Sequence, residues 1–281
     1  MAAPVSPALP DHPSRHVRSS DGTPIAVFSA GSGPALVLVH GTTADHRTWR
    51  VLGPMLAAGH SIHAIDRRGR GDSGDGAGTY SIGLELDDLA AVADALAGET
   101  GGPVDVLGHS LGGRIALAAS LRTTSIRRVI AYESAPGSTL RAPGERDELL
   151  DALRDDLARG DNDALLARFM TDAVGMPPAD LAAFRADPIW PLRAAAAPTI
   201  VRELDAADAA PAVSMGALAA VRVPVLQVAG SASPASFRDA VAALDARLAD
   251  GRLVVIDGAR HAAHHSHPAE LLALVEAFLA G

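Results

Sequence analysis

Apolar residues fall along this chain in two rhythms. Short runs dominated by aliphatic and β-branched residues recur at 35–39, 61–65, 104–107, 127–132, 223–229 and 252–256. Runs this short, with little polar alternation, suit strands covered on both faces, as in a parallel sheet. Between them lie stretches with helical spacing, at 49–58, 84–97, 114–119, 234–248 and 269–279. In the second of these, Leu84, Asp88, Leu89, Val92 and Leu96 sort apolar and charged side chains onto opposite faces. Two alternating runs within residues 16–30 flank Asp21-Gly22, which predicts a hairpin. Strands alternating with helices predict an α/β fold on a mostly parallel sheet.

The rhythm breaks once. Over residues 137–220 charged helical segments (145–159 and 163–170) alternate with proline joints at Pro177-Pro178, Pro188, Pro191 and Pro198, and no strand pattern appears. This stretch is expected to be a helical cap inserted into a core made of residues 16–136 and 221–281. Residues 1–15 carry Pro4, Pro7, Pro10 and Pro13 and are expected to form a flexible tail.

The strand at 104–107 runs into Gly108-His109-Ser110-Leu111-Gly112-Gly113 and then into an apolar helical stretch. Strand, sharp turn and helix with G-x-S-x-G spacing place a serine at the apex of a turn too tight for bulky flanks. Ser110 would stand above the carboxyl edge of the sheet, with the amides of the following helix aimed at the same point. Ser110 is the candidate nucleophile.

Bulk properties narrow the class. With 281 residues, 48% of them hydrophobic, the chain can bury a large core, and one α/β domain with an insertion fits its length. A formal charge of −9 argues against a nucleic-acid partner. There is no cysteine, so neither a disulfide framework nor a thiolate metal site is available; this suits a reducing cytosol, and a cytoplasmic location is expected. No apolar run reaches the roughly 18 residues of a membrane span, and the N-terminus lacks the charged start and apolar core of a signal peptide. No internal repeat is evident. No cofactor and no membrane association are expected.

Three further stretches complete a resemblance. The strand at 35–39 ends in His40-Gly41-Thr42-Thr43; the strand at 61–65 is followed by Asp66-Arg67-Arg68-Gly69-Arg70-Gly71-Asp72-Ser73-Gly74; the last strand is followed by Asp257-Gly258-Ala259-Arg260-His261. Together with the serine turn, in this order, they resemble the α/β-hydrolase superfamily over roughly residues 17–281. The resemblance implies an eight-stranded, mostly parallel sheet with flanking helices and the cap after the sixth strand. It implies that the amides of Thr42 and Leu111 form an oxyanion hole, that His40 shapes its loop, and that the Asp66 segment is a compact structural turn. It makes His261 the general base for Ser110. A metal cluster at His264, His265 and His267 is the rival reading of that tract, but no nearby acid or cysteine completes a site.

The triad acid departs from the common pattern. Most members place it after the seventh strand, where this chain has Gly230-Ser231-Ala232-Ser233-Pro234 and no carboxylate. Asp239 falls a turn into the next helix, and Asp257 precedes His261 too closely to reach round its ring. Some haloalkane dehalogenases carry a glutamate at the end of the sixth strand, in a stretch resembling Tyr132-Glu133-Ser134-Ala135-Pro136. Glu133 is therefore the candidate acid. Ser110 excludes the aspartyl-ester chemistry of those enzymes and of epoxide hydrolases.

Trp49, Phe169, Met170, Phe184, Ile189, Trp190 and Met215 are the large apolar candidates for a substrate pocket, pointing to a small-molecule ester or lactone with an apolar acyl or alcohol part. No basic cluster argues for a phosphorylated or coenzyme A substrate. Serine ester hydrolysis is the first reading. Carbon–carbon bond hydrolysis or a cyclase or lyase step on the same triad is the alternative, and a non-catalytic binding protein is disfavoured by the intact Ser110, His261 and acid. A homo-oligomer is left open.

Overall fold

The computed structural model describes residues 8–136 and 142–281. Its centre is one eight-stranded sheet: β1 (Arg15–Arg18), β2 (Pro24–Ala30), β3 (Ala35–Val39), β4 (Ser61–Ile65), β5 (Val104–His109), β6 (Ile126–Tyr132), β7 (Val225–Gly230) and β8 (Gly251–Ile256), in the spatial order β1-β2-β4-β3-β5-β6-β7-β8. β2 pairs antiparallel with β1 and with β4, and every other pairing is parallel. The expected α/β-hydrolase fold, with its mostly parallel sheet, is the observed one. Every residue of β3 is buried, because helices cover both faces of the sheet. Alternation along the strand sends Val37 and Val39 to one face and Leu36 and Leu38 to the other. The first pair packs with α2 (Ile82–Thr100) and α3 (Leu111–Ala119), the second with α1 (Leu52–Leu56) and α12 (Pro268–Ala280).

The helix expected at 49–58 is in fact a 3-10 turn at His46–Trp49 followed by the short α1. Pro54 explains the split, since a residue with no backbone N–H fits only the first turn of a helix. The expected tail is shorter than 1–15. Its first seven residues lie outside the described part, but Leu9 packs against the sheet, and Ser14 donates its amide to the Val27 carbonyl (2.8 Å) and accepts from the Ser29 amide (3.0 Å).

Between β6 and β7 stand α4 (Pro143–Ala158), α5 (Asn162–Arg168), α6 (Pro178–Arg185), α7 (Trp190–Ala196), α8 (Ile200–Ala209) and α9 (Met215–Leu218). The first residues expected in the cap, 137–141, lie outside the described part. These helices own a separate core around Leu153, Leu165, Leu166 and Ile200. By packing, the segment after Ala209 belongs to the sheet instead: Val213, Met215 and Leu218 lie in the α2–α3 layer.

Buried charge ties the inserted helices to the sheet. Glu203 of α8 pairs with Arg67 (2.9 Å) and Arg70 (2.5 Å) of the Asp66 turn, and Arg67 also pairs with Glu85 of α2 (2.6 Å). Burial works to raise the Glu203 carboxyl, but the two guanidinium groups overcome it and hold the group below its ordinary range. Buried charges persist only when matched in this way, and removing one partner strands the other.

Candidate active site

β5 and α3 meet at Ser110, whose φ of 54° and ψ of −124° no ordinary side chain favours. Backbone bonds hold the strain: the Ser110 amide donates to the Tyr132 carbonyl (2.9 Å), and its carbonyl accepts from Gly113 (3.0 Å). The flanking glycines are sterically required. A Cβ on Gly108 would lie 2.4 Å from the Gly113 Cα, and one on Gly113 would lie 1.9 Å from the Ser134 Oγ.

Glu133 directly follows β6 and also has a positive φ, 46°. Its amide donates to the Val228 carbonyl of β7 (2.9 Å), and its Oε1 accepts from the Gly230 amide (2.9 Å). The other carboxylate oxygen, Oε2, lies 2.6 Å from His261 Nδ1. Burial works to raise this carboxyl, but its bond to His261, the charge of that imidazole and the Gly230 amide pull it below the ordinary range. An ionised Glu133 can only accept, so the proton between the two groups belongs to Nδ1, leaving Nε2 free to take another. The two alternative acids are elsewhere: Asp239 is exposed on α10 (Ala235–Asp245), and Asp257 accepts from Ser231 Oγ (2.9 Å).

The loop after β3 is fixed by His40. Its Nδ1–H donates to the Gly41 carbonyl (2.8 Å) and its Nε2 accepts from the Arg67 amide (3.0 Å), so the buried ring is satisfied as the neutral form. Burial drives it well below the ordinary histidine range. Thr42 follows in this loop, and Leu111 opens α3, where first-turn amides have no partner within their own helix.

Ser110, His261 and Thr42 border one cavity of about 620 Å³ between the sheet edge and the inserted helices. Of the apolar candidates, Phe169, Met170 and Phe184 line it. Phe169 and Met170 do so from a π-helical turn at Phe169–Ala173. Trp49, Ile189, Trp190 and Met215 do not, and these four expectations are corrected. Trp49 is 1% exposed and packs between the sheet and α1. Ile189 borders a separate surface hollow. Trp190 sits one layer behind, edge-on to Phe184 with centroids 5.1 Å apart, its Nε1 donating to Asp163 (2.6 Å). Met215 packs in the α2–α3 layer. Apolar size predicts that a side chain is covered, not whether an empty space or a neighbour covers it.

The sequence reading missed two features. His109, beside the serine, donates its Nε2–H to the His261 carbonyl (2.6 Å), and its ring lies between those of His261 and His264, with centroids 4.7 and 4.6 Å away. Burial keeps His109 and His264 well below the ordinary histidine range. The second is Arg193 of α7, which borders the cavity from an alanine-rich stretch that carries no motif. Of the remaining histidines in the tract, His264 meets Thr48 Oγ1 (3.2 Å) and His267 meets Ser266 Oγ (2.9 Å). Among the described residues Asp45, His46 and Asp66 come together with metal-ligand spacing. Asp66, however, is spent on the His46 amide and ring (2.7 and 2.9 Å) and on the Asp72 amide (2.9 Å). Asp45 closes on Arg47 (2.6 Å).

Comparisons with known proteins agree with this architecture. Residues 36–274 match the model of the alpha/beta hydrolase family. The chain is 32% identical over 255 residues to a pimeloyl-[acyl-carrier protein] methyl ester esterase of Neisseria meningitidis, covering 87% of this chain and 92% of that protein. To the protein of the same name from Aeromonas hydrophila it is 29% identical over 269 residues, covering 91% and 99%. A solved alpha/beta hydrolase from Sphaerobacter thermophilus is similar with a TM-score of 0.77 and 31% identity, covering 94% of this chain and all of that one. The sheet order, the serine at its strained turn and these likenesses together establish that the chain belongs to the alpha/beta hydrolase family.

Proposed function

We propose that this chain hydrolyses a small-molecule carboxylic ester or lactone through an acyl-enzyme on Ser110. The observation that carries the reading is the 2.6 Å contact of Glu133 Oε2 with His261 Nδ1, in a cavity that Ser110 also borders. A serine hydroxyl is a weak nucleophile until a base takes its proton. His261 Nε2 takes that proton as the Ser110 oxygen attacks the carbonyl, and ionised Glu133 stabilises the imidazolium and keeps its orientation. The amides of Thr42 and Leu111 receive the negative oxygen of the tetrahedral intermediate. Collapse expels the alcohol, which takes the proton from His261, and water then repeats the sequence to release the acid.

Ester hydrolysis is the activity in the names of the curated relatives. Phe169, Met170 and Phe184 give the cavity apolar walls suited to a hydrocarbon acyl or alcohol part. In this reading the helices from α4 to α8 act as a roof that selects substrates. The enzyme is taken to work in the cytoplasm, in keeping with a chain that carries no cysteine. No helix among the described residues is long and apolar enough to cross a membrane.

The test combines fluorophosphonate labelling, read by mass spectrometry, with a screen of activated esters and lactones. An adduct on Ser110, turnover of esters, and a loss on the order of 10⁴-fold in Ser110→Ala support the reading. An adduct on another serine would refute it. Labelling at Ser110 with no ester or lactone turned over would move the chemistry to carbon–carbon bond cleavage or a cyclase or lyase step.

A further inference from the structure

Arg193 is the one deeply placed arginine of the cavity that lacks a carboxylate partner among the described residues. Its Nη1 donates to Thr43 Oγ1 (3.1 Å) and its Nη2 to Thr48 Oγ1 (3.0 Å), and its guanidinium carbon lies 5.9 Å from the Phe184 ring centroid. All three partners are neutral. The Nε–H is buried and has no hydrogen-bond acceptor. The two acids whose charge reaches it are already closed on other arginines, Asp45 on Arg47 (2.6 Å) and Asp187 on Arg50 (2.7 Å).

Three other buried arginines are treated differently. Arg67 is matched by Glu85 and Glu203, Arg68 by Asp88, and Arg70 by Glu203, all within 2.9 Å. A buried guanidinium without a counter-charge is costly. Burial lowers Arg193 to about 10, which still leaves it protonated at neutral pH. A cation held unneutralised on the wall of a binding cavity, with an unused donor, is complementary to an anion that arrives from outside. A carboxylate suits the planar guanidinium, because it can accept two parallel N–H bonds. Its anchor Thr43 adjoins Thr42, so the anion would be held close to the reacting carbonyl.

We propose that Arg193 binds a carboxylate carried by the substrate, so that the enzyme's esters are half-esters of dicarboxylic acids or lactones bearing a free acid group. This rests on the reading of Ser110 as the nucleophile and names the substrate class of that same site. The rival role for Arg193, a general electrostatic aid to the oxyanion, would serve charged and neutral esters alike, whereas a carboxylate site discriminates between them.

The experiment uses the full chain and two substrate series followed by acid release. One is the monomethyl esters of succinic, glutaric and adipic acids; the other is methyl esters with an isopropyl group in place of the free carboxylate. The parent is expected to favour the half-ester by roughly 10²-fold or more in kcat/KM. Arg193→Gln should collapse that ratio, chiefly through KM for the half-ester, and Arg193→Lys should restore part of it. Calorimetry with glutarate on the Ser110→Ala protein should show binding that is lost in the Ser110→Ala/Arg193→Gln double variant. A parent with no preference for the charged series, or a ratio unchanged in Arg193→Gln, overturns the proposal while leaving ester hydrolysis at Ser110 intact. Glutarate binding that depends on Arg193, without turnover of either series, supports the anion site and instead overturns the hydrolytic reading.

Discussion

Glu133 Oε2 stands 2.6 Å from His261 Nδ1, although 128 positions of sequence separate the two residues. The contact depends on backbone geometry at both ends. The left-handed φ of Glu133 turns it off the end of β6 toward β7, and the Gly230 amide fixes its second oxygen. Gly230 in turn lies under the loop that carries His261, where a Cβ would sit 2.2 Å from the Ala259 carbonyl. Glu133→Gln keeps the size and the bond to Gly230 but removes the charge and unsettles the tautomer of His261. Its kcat is expected to fall by roughly 10²- to 10⁴-fold with little change in melting temperature. Asp239→Asn and Asp257→Asn should stay within a few-fold of the parent; a loss from either as large as that from Glu133→Gln would reassign the acid.

Gly113→Ala tests the serine turn from the other side. The added methyl would lie 1.9 Å from Ser134 Oγ and 2.9 Å from the Gly108 carbonyl, so a backbone shift is unavoidable. A destabilisation of about 1–3 kcal/mol in chemical denaturation is expected, together with loss of most fluorophosphonate labelling. Normal labelling in a protein of normal stability would show that the turn tolerates bulk.

Two aromatic residues in contact should behave in opposite ways. Phe184 borders the cavity, whereas Trp190 supports it from behind and belongs to the core of the inserted helices. Phe184→Ala should change the preferred acyl length in an ester series and cost little stability. Trp190→Ala removes a buried ring and the bond to Asp163, and a loss of about 3–5 kcal/mol is expected. Differential scanning calorimetry beside an ester-length profile would separate the two.

Acid should weaken the fold through His63. This residue of β4 is held by Ser29 Oγ at Nδ1 (2.9 Å) and Ser61 Oγ at Nε2 (3.2 Å). Burial, helped by the charge of Arg15, lowers it from 6.5 to about 4. Between those values the unfolded chain binds the proton and the folded chain does not. Stability is therefore fully present above pH 6.5, declines as the pH falls toward 4, and changes no further below that on this account. The loss across this window totals about 3 kcal/mol. His63→Asn should flatten the dependence of unfolding free energy on pH in this window; an unchanged slope would assign the acid sensitivity to other groups, such as His265, which burial also lowers to about 4.

Much of this molecule is legible from sequence because the relevant rules are local. Unbroken aliphatic runs mark strands covered on both faces, glycines mark a turn with no room for a side chain, and β5, Ser110 and α3 need only neighbouring residues to be read. Glu133 is legible because residues 230–234 hold no carboxylate and Tyr132-Glu133-Ser134-Ala135-Pro136 resembles the strand end that carries the glutamate of some haloalkane dehalogenases. Other features belong to tertiary structure alone. Trp49, Trp190 and Met215 are apolar and covered, as their composition requires, but which surface covers them depends on how the inserted helices settle on the sheet. Arg193 shows the same limit for charge. Nothing in the residues around it distinguishes a solvated arginine from one turned inward, because the cost of burying a guanidinium depends on which acids stand nearby: Asp45 closes locally on Arg47, but Asp187 is taken by Arg50, 137 positions away in sequence, only once the chain has folded.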